Sequence, residues 1–217
     1  KIVIPATTET YHVFNRGVDK RDVFQDKEDY LRFYKSLDYF NSIEPITSFF
    51  ESARLDRKNL NSEKLVQVHA YCLLPNHYHL ILTQQVDGGI SDFMKRIGGG
   101  FTSYFNEKYD RSGSLFQGRF KRIHVASNEK LIHLSAYINY NHLVHGITGG
   151  EKVFESSRSF YSGHDLQTFV KPNLVLSQYT SPKDYLQSAE KIALKIKTER
   201  LAEKTKEGRK QLTEYLE

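Results

Sequence analysis

The chain is poor in several residue types. Among its 217 residues it has one cysteine (Cys72), one methionine, five prolines and no tryptophan. A single thiol excludes a disulfide framework and a cysteine-cluster zinc site, and it points to a reducing, cytoplasmic setting. Apolar runs stop after a few residues, far short of the roughly 20 that a membrane helix needs. The opening stretch KIVIPATTETYH has no long apolar core, so no signal peptide is expected. No repeat period stands out. What the chain does have is 39% apolar and 26% charged residues, the balance of an ordinary globular protein rather than a disordered one. Its aromatic content is all tyrosine and phenylalanine, 14 of each. The length suits one domain, or one plus an appendage, burying about 70% of the unfolded surface. A net charge of +5 tilts toward nucleic acid without requiring it.

Hydrophobic periodicity predicts the elements. Tyr11–Arg16 alternates and carries β-formers, so it reads as a strand ending at Gly17. Asp26 can cap a helix over Lys27–Phe40, with Tyr30, Phe33, Tyr34, Leu37 and Phe40 on one stripe. Asn41–Lys64 is polar and irregular, a connecting excursion. Leu65–Leu74 and His77–Thr83 flank the turn Pro75-Asn76 and predict an antiparallel hairpin. Ser91 can cap a helix running to about Tyr109. Gly98, Gly99 and Gly100 inside it cost about 1 kcal/mol each relative to Ala, which suggests a kink or a close backbone approach. Arg119–Ala126 reads as a strand, and Ser127 or Asn128 caps a helix to about Leu143 that Gly146 ends. The order βαββαβ predicts an α+β, ferredoxin-like antiparallel sheet with helices on one face. Residues 1–150 form the expected domain and 151–217 a C-terminal extension with a charge-mixed helical tail.

Three groups of residues carry chemistry. His77 and His79 share one strand face with Tyr78 on the other, a natural pair of metal ligands or two packed histidines that bind nothing. Tyr137 and Asn141 stand at i and i+4, so one helix would put a phenol and a neutral amide on one face. Taken alone, with Leu134, Ile138 and so many other tyrosines nearby, Tyr137 reads first as core; Tyr140 is the competing phenol, about 100° around the helix. His133 lies one turn earlier on the same stripe. Third, RSGSLFQGRFKR brings Arg111, Arg119, Lys121 and Arg122 with Phe116 and Phe120 and no acid. Cations can hold phosphates while rings stack on bases, though a solvated strand edge would look the same. Arg16, Lys20 and Arg21 repeat that signal more weakly.

LLPNHYHLIL resembles the His-hydrophobic-His motif of HUH endonucleases in the form found in single-tyrosine transposases, and the match is closest to the REP-associated tyrosine transposases. YHVFNRGVDKRDVF, FTSYFNEKYDRSGSLFQGRFK, YINYNHLVHG and, more weakly, VFESSRSFYSG agree in order and spacing, so the resemblance spans roughly Thr10 to Gly163. It implies that His77 and His79 are metal ligands, Asn141 the third ligand and Tyr137 the nucleophile. It further implies Mg²⁺ or Mn²⁺ as cofactor, single-stranded or hairpin DNA as partner, and strand cleavage and rejoining through a 5′-phosphotyrosine. The chain departs from the family in having His142 where Pro usually follows the Asn, and in a longer excursion at 41–64. Two other readings remain open on the residues alone: a metal-dependent nuclease in which Tyr137 only positions, and a nucleic-acid-binding module with structural histidines.

Overall fold

The computed structural model describes residues 6–44, 63–146, 155–163 and 169–216. Most of the excursion expected at 41–64 lies outside them. Strands β1 (Thr10–Arg16), β2 (Val66–Leu74), β3 (His77–Gln84), β4 (Lys121–His124) and β5 (Glu155–Ser156) form one antiparallel sheet in the order β4-β1-β3-β2-β5. The first four in that order are the split βαββαβ arrangement read from the sequence, and β5 adds a short edge beside β2.

One face of the sheet is covered by helices α1 (Lys27–Tyr39) and α2 (Gly89–Lys108). Val13, Val68, Tyr71, Leu73, Tyr78, Leu80 and Leu82 from the strands pack there against Phe33, Leu37, Phe93, Ile97 and Phe101. Asp26 caps α1 as expected: its carboxylate accepts from the Asp29 amide at 3.0 Å, and Asp29 answers by accepting from the Asp26 amide at 3.4 Å. The fully buried Asp29 carboxylate also accepts from Tyr104, Lys108 and Tyr109 of α2 and the residue after it, which ties the start of α1 to the end of α2. A buried charge is tolerated because every side of it is satisfied.

The cap expected at Ser91 is displaced. Helix α2 begins at Gly89 after Gly88, whose φ of 71° suits glycine, and the Gln84 side chain on β3 supplies the acceptor for the Ile90 amide at 3.2 Å. Gly89 has to be glycine, since a Cβ there would lie 2.3 Å from the Leu65 carbonyl oxygen. The Gly98–Gly100 run produces no break. Gly100 is the close approach, with Phe40 at 2.8 Å from an added Cβ, while Gly98 and Gly99 face open space.

The helices after β4 and the extension together cover the opposite face. Helices α3 (Asn128–Asn139), α4 (Asn141–His145), α5 (Asn173–Leu176) and α6 (Pro182–Leu216) follow β4. Leu131, Ala136, Ile138, Tyr140, Val144, Tyr161, Tyr185, Ala189 and Ala193 pack there on Ala70, Cys72, Leu74 and Ile81. A bulge between Val68 and Ala70 shifts the alternation of β2 by one residue, so Val66 and Val68 share a face with Tyr71 and Leu73 while Ala70, Cys72 and Leu74 take the other. His69 fills the bulge. Its Nδ1–H donates to the Lys171 carbonyl at 2.8 Å, its Nε2 pairs with Thr83 Oγ1 at 2.7 Å, and burial lowers its pKa. It is a structural histidine. None of the helices among the described residues is long and apolar enough to cross a membrane.

Candidate active site

Strand pairing decides which side chains meet. Phe14 stands opposite His79 and Arg16 opposite His77 in the β1–β3 register, so His12, Phe14, Arg16, His77 and His79 share the face covered by the extension. His77 and His79 sit edge to face with ring centroids 5.0 Å apart. The strand face expected of them is the one observed.

The turn before β3 sets the orientation of His77. The Asn76 amide nitrogen donates to the Lys20 carbonyl at 3.0 Å, so its oxygen is turned to His77 Nδ1 at 2.6 Å. A carboxamide oxygen only accepts, which places the proton on Nδ1 and leaves a lone pair on His77 Nε2. Burial, with smaller contributions from His145, Arg16 and Arg200, lowers the His77 pKa to about 4, so the ring is neutral at neutral pH. Burial, with the neighbouring histidines, holds His79 well below the ordinary imidazole range.

His12 was not singled out by the sequence reading. It stands diagonally across from His79, with Nε2 2.9 Å from His79 Nδ1 and the rings stacked at 24°. Phe14 stacks on its other neighbour position at 4.7 Å. Burial holds His12 near pKa 4 as well. Alternation in YHVFNR together with the antiparallel register was the signal that could have found it.

Tyr137 arrives from α3. Its half-buried ring meets His79 edge to face at 5.4 Å. The single helix expected to carry both Tyr137 and Asn141 is interrupted: α3 ends at Asn139, Tyr140 has φ −117° and ψ 25°, and α4 restarts at Asn141. Tyr140 is a support, since its hydroxyl donates to the Leu186 carbonyl at 2.9 Å and Arg158 lies over its ring at 4.9 Å. The segment Ser156–Tyr161 pins the break from the other side. Ser157 Oγ donates to Asn139 Oδ1 at 2.5 Å, and Asn139 Nδ2 donates to the Tyr185 hydroxyl at 2.6 Å.

Asn141 is fully buried, and neither its amide oxygen nor its nitrogen has a hydrogen-bond partner; His79 Nε2 is buried and unpartnered in the same way. Each such atom costs about 1–3 kcal/mol unless a ligand satisfies it. No group of three His, Cys, Asp or Glu side chains among the described residues is placed as a metal site. The unpartnered His79 Nε2 and Asn141 carboxamide oxygen are of a different kind, and both are donor types that suit a divalent cation.

The basic stretch divides between the two faces. Lys121 opposes Phe14 and so shares the histidine face, whereas Arg122 opposes Val13 and belongs to the other. Arg119 and Phe120 line a cleft of about 740 Å³ with Asn15, Lys95, Gly98 and Gly99. Two residues of the stretch have other work. Phe116 is buried against Tyr78 and Phe101, so it offers no free face for a base. Arg111 is tied to Asn106 Oδ1 at 2.6 Å and the Ser114 carbonyl at 3.3 Å, closing the loop after α2. Lys20 and Arg21 are exposed after β1, with Arg21 3.6 Å from Asp19. His133 is exposed on α3.

Residues 54–141 match the model of a family described as IS200-like transposases. The resemblance drawn from the motifs is borne out over that span, which contains both histidines, Tyr137 and Asn141. A solved REP-associated tyrosine transposase bound to a REP hairpin is similar at 16% identity and a TM-score of 0.46, covering 68% of this chain and 74% of that one. None of the curated proteins matches.

Proposed function

We propose that the chain is a metal-dependent single-stranded DNA endonuclease and strand transferase that acts on hairpin DNA through a covalent 5′-phosphotyrosine. The observations that carry this reading are two buried, unpartnered ligand groups, His79 Nε2 on β3 and the Asn141 amide at the α3–α4 break, and the Tyr137 ring that meets His79. His77, His79 and Asn141 would hold Mg²⁺ or Mn²⁺. When bound, such an ion supplies Lewis-acid polarisation of the scissile phosphate.

The residues themselves do the remaining work. Asn76 holds the proton of His77 on Nδ1 and so presents Nε2 as a lone pair. His12 does the same for His79 when it accepts the Nδ1 proton. Tyr137 Oη bonds to phosphorus, the bond from phosphorus to the 3′-oxygen breaks, and that oxygen leaves as a 3′-hydroxyl after taking a proton. The phenol gives up its own proton in the same step. Since one phosphodiester replaces another, a 3′-hydroxyl can later displace Tyr137 and rejoin the strand without ATP.

The reading is tested by incubating the full chain with Mn²⁺ and a hairpin oligonucleotide bearing single-stranded flanks. An SDS-stable adduct that is lost in Tyr137→Phe is the expected result. Cleavage without any adduct would make the protein a plain nuclease.

A further inference from the structure

Helix α6 does more than cover the sheet. Tyr185, Ala189 and Ala193 are buried against α3 and α4, and Ile196 packs partly on the same cluster. Their spacing of four, four and three residues marks one stripe, and Arg200, four residues further, continues it. The stripe carries Arg200 alongside α4, where its Nη1 lies 3.2 Å from His145 Nε2. Guanidinium groups only donate, so His145 accepts at Nε2. The His145 ring in turn meets His77 edge to face at 5.8 Å. Arg200 is thus two rings away from His79, and its charge acts on both His77 and His79. Among the described residues it forms no ion pair with a carboxylate; its neighbour Glu199 turns to Lys195 instead, at 3.9 Å.

We propose that Arg200, delivered by the C-terminal helix to the edge of the histidine cluster, is the phosphate-binding cation of this site, gripping the non-bridging oxygens of the DNA phosphodiester that is cut. The inference rests on the reading of the cluster as a phosphoryl-transfer site. A cation held beside neutral imidazoles, with no carboxylate to neutralise it, has phosphate as its matching partner, and the planar guanidinium suits two phosphate oxygens at once. His145 fixes one end of the group and leaves its other donors for the ligand. In the transition state the same contact offsets the negative charge that builds on those oxygens.

The test uses the full chain and dimethyl phosphate, a minimal phosphodiester. Mn²⁺ affinity is read from the electron paramagnetic resonance signal of free Mn²⁺, and phosphodiester binding from ³¹P relaxation caused by the protein-bound ion. Arg200→Ala should hold Mn²⁺ as wild type does while its phosphodiester affinity falls about fivefold. Arg200→Lys should recover part of that loss, and Lys191→Ala, on the exposed side of α6, should lose none. Unchanged phosphodiester relaxation in Arg200→Ala would overturn the proposal, and a lower melting temperature alongside it would make Arg200 a docking residue only. If wild type binds no Mn²⁺, the metal reading fails by itself. Arg200 is then judged in the metal-free protein by the ¹H–¹⁵N shift of its guanidinium on adding dimethyl phosphate, and an unmoved signal overturns the proposal.

Discussion

His12 Nε2 and His79 Nδ1 lie 2.9 Å apart across the β1–β3 ladder, so the second histidine of the HxH motif is held by a histidine 67 residues earlier. With Asn76 on His77, each of the two proposed histidine ligands has a dedicated partner on its Nδ1 side. Both partners stand on neighbouring backbone, in a strand and in a tight turn, and both leave Nε2 toward the site.

Replacing His12 with Ala should therefore weaken Mn²⁺ binding by about 10- to 100-fold, the usual cost of losing an orienting partner. His12→Gln, whose amide can still hydrogen-bond, should restore part of it. Calorimetry that shows unchanged affinity in His12→Ala would mean that His79 needs no such support.

Two phenols three residues apart should behave oppositely. Tyr137→Phe is expected to lose the SDS-stable adduct and keep DNA binding, because only the attacking oxygen is removed. Tyr140→Phe should keep the adduct and lose about 1 kcal/mol of stability in a denaturant titration, the worth of its hydrogen bond to Leu186. An adduct that survives in Tyr137→Phe but not in Tyr140→Phe would reverse the assignment.

Local signals in the sequence carried much of this architecture. The β2–β3 hairpin shows in LVQVHAYCLL and HYHLILT around Pro75-Asn76, and Asp26 announces α1. What stayed hidden depends on chain pieces that are distant in sequence. The cap of α2 comes from Gln84 on another element, because Gly89 must press against Leu65. The interruption at Tyr140 follows from Asn139 being fixed by Ser157 and Tyr185, residues no helical pattern includes. His12 was visible only through pairing register. Arg200 looked like one more charge on a polar tail until α6 was docked.

Strand alternation also sharpens what the basic stretch should do. Lys121 is exposed on the histidine face, whereas Arg119 lines the cleft beside α2. Each of Lys121→Ala and Arg119→Ala should lower the salt dependence of single-strand binding, by about 0.7 in the log–log slope for one lost phosphate contact. Phe116→Ala should act on stability instead, by about 3–5 kcal/mol, since the ring is buried. A Phe116→Ala protein with native stability but weakened DNA binding would restore Phe116 as a base-stacking residue.

The C-terminal helix gives the last prediction. On sequence alone, a chain ending near Ser181 should fold less stably yet still cleave, because the chemical residues precede it. The docking of α6 changes that expectation. Tyr185, Ala189 and Ala193 are fully buried, Tyr185 receives the Asn139 amide, and the Leu186 carbonyl receives Tyr140. Those contacts hold the two sides of the α3–α4 break, and the break sets Tyr137 and Asn141 relative to each other. Burying one large side chain is worth about 1.5–3 kcal/mol, so losing the whole stripe removes a sizeable share of a domain's net stability. A chain ending at Ser181 should therefore melt earlier and form no adduct, while a chain ending at Leu201, which keeps the stripe and Arg200, should form adduct at the full-length rate. Circular dichroism and adduct yield measured on both truncations separate the cases. An adduct at wild-type yield from the shorter chain would show that the break at Tyr140 holds without α6.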